Sequence, residues 1–262
     1  MSIYMWREYV VPQELCFTAN TAGSTVQLNK QGSPTAVTLE TSTDGSTWTT
    51  YTIWNIITLS NIWDKVYFRN TSTTTTAFST STTNYYKFVM TWSVAWSWDI
   101  NYLLNKGSTL NVSSYCYYSL FSGCTSLTVA PELPATTLAN NCYNTMFYSC
   151  TSLTTTPELP ATTLANNCYM SMFYSCTSLT TLPELPATTL AENCYRVMFN
   201  GCSKIKLSTT QTWEYQTAYR IPTTWTWSEW TNSLLFMFYN TWWTFTWTPS
   251  INTTYYTSNT LV

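Results

Sequence analysis

Histidine is absent from all 262 residues. That absence removes Ser-His-Asp and Cys-His catalysis, His-ligated zinc and haem, and the side chain that titrates nearest neutrality. Charge is scarce as well: ten Lys plus Arg against twelve Asp plus Glu make up 8% of the chain and leave a net charge of -2. There is no basic footprint for nucleic acid and no polybasic anchor for a membrane surface. No apolar run approaches the roughly 18 residues that a membrane-spanning helix needs. Residues Met1 to Cys16 contain Arg7, Glu8 and Glu14 and lack the charged, then apolar, then small pattern of a secretory signal. Glycine is scarce too, with six residues against fourteen tryptophans. Together these absences argue against an enzyme, a cofactor and a nucleic-acid partner.

Hydroxyls and aromatic rings fill the space. Thr occurs 54 times and Ser 28 times, and aromatics make up 17% of the chain. Such residues suit pleated, half-buried faces and a neutral surface, which fits a protein that works at the cell surface or in the medium.

The second half repeats itself. Residues 131–156 recur at 157–182 with changes only at Asn144/Met170, Thr145/Ser171 and Thr156/Leu182, and more loosely at 183–208. An upstream partial copy is anchored by Cys116, Phe121, Cys124 and Leu127, and Ser233 to Phe238 has the spacing of a degenerate terminal cap. A 26-residue period predicts stacked coils that share one core. Leu138, Cys142 and Met146, at i, i+4 and i+8, predict a short helix in each coil. The β-branched run Thr151 to Thr156, which stops at Pro157, predicts a short strand.

Phe147, Cys150 and Leu153 stand three residues apart, and in this the unit resembles the leucine-rich repeats of BspA-like bacterial surface proteins. The resemblance covers roughly residues 105 to 208. It implies an α/β leucine-rich-repeat solenoid of strand-turn-helix coils and attachment to a host or matrix protein or glycan. Ahead of it, about seven β-rich runs, among them Leu15 to Ala19, Ile56 to Leu59 and Tyr85 to Thr91, and the Asp44-Gly45 hairpin signal predict a small all-β, sandwich-like module. Thr71 to Thr83 reads as an exposed loop. The expected division is a β-module at 1–95, the repeat array with its cap at 96–250 and a tail at 251–262. The expected role is non-enzymatic recognition or adhesion; the alternative is a structural virion or tail-fibre component.

Candidate surface residues follow from the period. Glu132, Glu158 and Glu184 recur between prolines and would form a ladder of like charges about 5 Å apart, either a stripe for a cation or basic ligand or a solvated rim. Tyr148 and Tyr174 stand where the outer copies have Ser122 and Asn200, and would make a patch for a sugar or peptide or simply an exposed repeat position. Eight of the nine cysteines pair as Cys-x7-Cys, a spacing foreign to zinc sites, and are expected as buried free thiols. Leu-Pro-Ala-Thr-Thr recurs mid-chain with Thr in the place of a wall-sorting glycine, so no cell-wall anchor is expected.

The tryptophans stand where turns want glycine. Six Gly plus fourteen Trp is about 7–8% of the chain, close to the usual glycine share of about 7%. Trp63, Trp225, Trp227, Trp230, Trp242 and Trp243 lie among turn-forming residues, whereas Trp48 follows the Asp44-Gly45 signal in an alternating strand. Two readings stand: a UGA codon translated as Trp in place of Gly, or a Trp-rich binding tail.

Overall fold

The computed structural model describes residues 14–72, 77–97, 100–104, 112–221, 232–243, 248–250 and 253–262, with backbone alone at 96–97 and 242–243. Its first eight strands are β1 (Leu15–Ala19), β2 (Ser24–Gln31), β3 (Leu39–Ser42), β4 (Thr49–Tyr51), β5 (Ile56–Leu59), β6 (Lys65–Asn70), β7 (Tyr85–Thr91) and β8 (Val94–Ser97). They form a five-stranded sheet ordered β4-β3-β6-β1-β8 and a three-stranded sheet ordered β5-β2-β7. Alternation sets the inner face: Val26 and Leu28 on β2, and Tyr86, Phe88 and Met90 on β7, are buried. Phe17 and Phe68 of the larger sheet meet Phe88 of the smaller at ring-centroid distances of 4.9 and 5.5 Å.

From Cys116 onward the chain stacks into coils, and here the α/β expectation is overturned. Among the described residues there is no α-helix; only Ile100–Leu103 makes a short 3-10 turn. The segment expected as a helix is instead a run of tandem turns. In the coil at 131–156, the N–H groups of Cys142, Asn144, Met146, Tyr148 and Cys150 bond three residues back. Those of Asn141, Tyr143, Thr145, Phe147 and Ser149 bond outward to carbonyls of the next coil, from Asn166 to Tyr174. Every fourth residue is left-handed, with φ of 59°, 55° and 57° at Asn141, Thr145 and Ser149. The buried apolar positions of the turn run are therefore i, i+1, i+4, i+5 and i+8 (Cys142, Tyr143, Met146, Phe147, Cys150). Over two turns this period of four is indistinguishable from the helical 3.6 when read from Leu138, Cys142 and Met146 alone.

Spacing decides between the two. Tyr117, Tyr143, Tyr169 and Tyr195 stack at 5.8 Å with rings within 9° of parallel. Phe121, Phe147, Phe173 and Phe199 stack at 5.5 to 5.6 Å. Packed helices need roughly 8–10 Å between axes, so coils this close must share backbone hydrogen bonds, which helices would keep to themselves. The expected strand at Thr151 to Thr156 contracts to parallel bridges such as Val129 with Thr155. In the copy at 157–182 it is strand β9 (Thr181–Leu182). Leu127, Leu153, Leu179 and Ile205 are all fully buried.

The stack begins against the strands of the β-module. Phe88 on β7 continues the phenylalanine column below Phe121 at 5.4 Å, and its N–H bonds to the Leu120 carbonyl. Val94 bridges Leu127 in parallel. Part of the Thr71 to Thr83 stretch falls outside the described residues, but Phe78 and Ser79 are buried and both donate to the Cys116 carbonyl. Those two residues are docked, whereas Thr71, Thr80, Thr82 and Thr83 are exposed as expected. The buried side chains of the module and the coils form one continuous cluster.

At the far end, Asn232 to Thr241 makes a further turn run: Tyr195, Val197, Phe199 and Gly201 donate to Ser233, Leu235, Met237 and Tyr239, and Phe238 stacks on Phe199 at 5.4 Å. Strands β10 (Lys206–Ser208), β11 (Thr217–Arg220), β12 (Trp242–Trp243) and β13 (Thr254–Thr257) form a four-stranded sheet. Strand β14 (Thr260–Leu261) pairs in parallel with β9. At the first end the β-module covers backbone that could otherwise recruit the edge of another chain.

Candidate functional site

The turn run sorts each coil into inward and outward columns. Inward, the Cys, Tyr, Met or Leu, Phe and Cys positions repeat almost unchanged. Each second cysteine has a definite partner, because the thiols of Cys124, Cys150, Cys176 and Cys202 donate to the carbonyls of Phe88, Phe121, Phe147 and Phe173 at 2.9 to 3.1 Å. All nine cysteines are buried and none is in a disulfide. Burial pushes the Cys124 and Cys176 thiols up to about 12, against the pull of Lys87 on Cys124 and of the Cys150 backbone on Cys176. Protonated, hydrogen-bonded thiols are poor nucleophiles. Among the described residues no group of three or more His, Cys, Asp or Glu side chains stands close enough to hold a metal ion.

The outward columns carry the variety. The position after the buried tyrosine is Tyr118, Asn144, Met170 and Arg196 in successive coils, four chemistries on one frame. Asn144 is buried, with its amide on Asn141 Oδ1 at 3.0 Å; the other three are half-buried. Tyr118 packs edge-on against Tyr85 of β7 at 5.4 Å.

Four residues further on in each coil stand Ser122, Tyr148, Tyr174 and Asn200. Tyr148 is 36% exposed and stacks on Tyr174 at 4.8 Å with planes 6° apart. Asn200 in the same column is buried, so the column closes towards that end of the stack. The period thus brings Tyr148 and Tyr174 into a two-ring ladder.

Glu132, Glu158 and Glu184 lie elsewhere, all exposed, along the proline-rich edge. The grooves beside them are lined by Pro131, Pro134, Pro157, Pro160 and Pro186 with intervening leucines, and by neither tyrosine. Arg220 closes the end of this edge, its Nη1 donating to the Leu185 carbonyl at 2.6 Å.

The period itself points to the tyrosines and the glutamates. It is blind to Phe88, which lies upstream of the first copy and outside the repeat, and to Arg220, whose role depends on where the last sheet folds back. Trp225, Trp227 and Trp230, and the side chains of Trp242 and Trp243, lie outside the described residues.

Compared with protein-family models, characterised proteins and solved structures, the chain matches none. Among the described residues no helix is long and apolar enough to cross a membrane.

Proposed function

We propose that the chain is a non-enzymatic recognition module of the cell surface or the medium, whose turn face binds a protein or glycan through Tyr148 and Tyr174. The supporting observation is where the repeats differ. Copies 131–156 and 157–182 differ at three positions only, and two of these, Asn144/Met170 and Thr145/Ser171, lie in the turn run four and three residues before the ladder tyrosines, with Met170 and Thr145 half-buried and Asn144 and Ser171 buried. A fixed frame with altered residues next to the ladder suits surface-by-surface recognition. Paired aromatic faces offer apolar area with a hydroxyl at the rim, which suits sugar rings and peptide planes. The glutamate edge, like-charged and rimmed by proline, serves as a solvated border.

The test is a glycan and matrix-protein array probed with the purified chain, followed by titration of any hit against the double variant Tyr148→Ser/Tyr174→Ser, which installs the residue found at 122. Binding should weaken at least tenfold, about 1.4 kcal/mol, with melting unchanged. Unaltered binding would place the ligand elsewhere, and an array without hits would favour a spacer in a virion or fibre.

A further inference from the structure

Glycine has one conformational role in the described parts of this chain. Gly23, Gly32, Gly45, Gly123 and Gly201 all have φ between 61° and 80°, the left-handed region that side chains disfavour. Among the described residues, the non-glycine residues that share this region fall into two sets. One set occupies the repeating left-handed slots of the coils, between Tyr115 and Asn240, and consists of Asn, Ser, Thr and a few others. The second set lies outside the coils and consists of Trp54, Trp63 and Trp92, with φ of 79°, 73° and 61°.

Two of these tryptophans copy a glycine's geometry. In the turn Thr21 to Ser24, the Ser24 N–H bonds to the Thr21 carbonyl at 3.3 Å and the third residue is Gly23, φ 80°. Thr52 to Asn55 closes in the same way at 3.0 Å with Trp54 third, and Asn61 to Asp64 at 3.2 Å with Trp63 third. A φ this far into the positive range at the third residue is the type II turn signature, which calls for Gly or Asn. A bulky aromatic there is a true outlier. Trp92 makes the tight passage between β7 and β8.

Their rings are exposed as well: 50% for Trp54, 71% for Trp63 and 65% for Trp92. Trp48 is the contrast. Its φ is not left-handed, and the Arg69 guanidinium sits 3.9 Å over its ring, an aromatic's own interaction.

We propose that residues 54, 63 and 92 are glycine in the protein as its own cells make it, because the codon behind them is UGA read as glycine, while Trp48 is a true tryptophan encoded by UGG. The inference is independent of the ligand reading. It also removes three exposed rings that would otherwise pass for a sugar-binding surface.

One tryptic peptide decides most of it. Cleavage after Lys30 and Lys65 releases Gln31 to Lys65, which contains Trp48, Trp54 and Trp63 together; Phe88 to Lys106 carries Trp92. In protein isolated from the source cells, fragment ions of the first peptide should show glycine at 54 and 63 and tryptophan at 48. The second should show glycine at 92. Tryptophan at 54, 63 or 92 overturns the proposal, as does a UGG codon at any of the three in the gene.

Discussion

A left-handed residue every four positions is the local rule of the coils, and the side chains chosen for that slot follow from sterics. The first slot of successive coils is Tyr115, Asn141, Asn167, Asn193 and Asn232, and the third is Gly123, Ser149, Ser175, Gly201 and Asn240. Asn tolerates the region because its short amide bonds locally, and Gly because it lacks Cβ. Gly201 is doubly constrained, since a Cβ there would meet Ser175 Oγ at 3.0 Å. Replacing Asn167 by Ala should therefore cost about 1 kcal/mol, seen as a fall of about 2–4 °C in melting temperature. Asn167→Gly should cost less than Asn167→Ala, because glycine meets no steric penalty at φ 58°. Equal melting of the two variants would mean that the slot is not left-handed in solution.

Elements are legible in the sequence to the extent that their signals are local. The runs expected as strands at 15–19, 56–59 and 85–91 coincide with β1, β5 and β7 because alternation and flanking turn residues speak for themselves. The coil interior reads as helix because Leu138, Cys142 and Met146 fit a period of 3.6 as well as one of four. The adjoining pairs Cys142-Tyr143 and Met146-Phe147, both buried, fit either period as well, and the difference lies in the backbone bonds between coils. The tyrosine ladder is legible because the period maps Tyr148 onto Tyr174. The partial burial of that column, ending in Asn200, depends on neighbouring coils and is not.

The same close stacking makes the phenylalanine column the main structural element of the array. Phe173 lies fully buried between Phe147 and Phe199 at 5.6 and 5.5 Å. Phe173→Ala should destabilise by about 3–5 kcal/mol, measured by denaturant unfolding, because a coil held on both sides by backbone bonds is poorly placed to collapse into the void. A loss below about 1 kcal/mol would mean that the column is not packed core.

For the whole molecule, the joined core makes alkali the natural probe of its integrity. No disulfide ties the coils together; reductant should leave melting unchanged. Stability must come from burial and from the shared backbone ladder. Burial raises the Cys116 and Cys194 thiols to about 12 from an ordinary 9, and pushes the Tyr169 and Tyr195 hydroxyls well above 10. The folded state therefore holds protons that the unfolded chain gives up. For groups raised in this way, the stabilisation is complete below about pH 9 and is lost as pH rises from there towards about 12. The thiols lie along one core that runs from the β-module through the coils, so their losses add up in a single transition. Circular dichroism across a pH series should show a flat signal through neutrality and one cooperative unfolding step above about pH 9, with thiol reactivity towards an aromatic disulfide reagent appearing in the same step. If instead the thiols react near their ordinary pKa while the fold persists, the cysteine columns are open to solvent and the shared core is wrong.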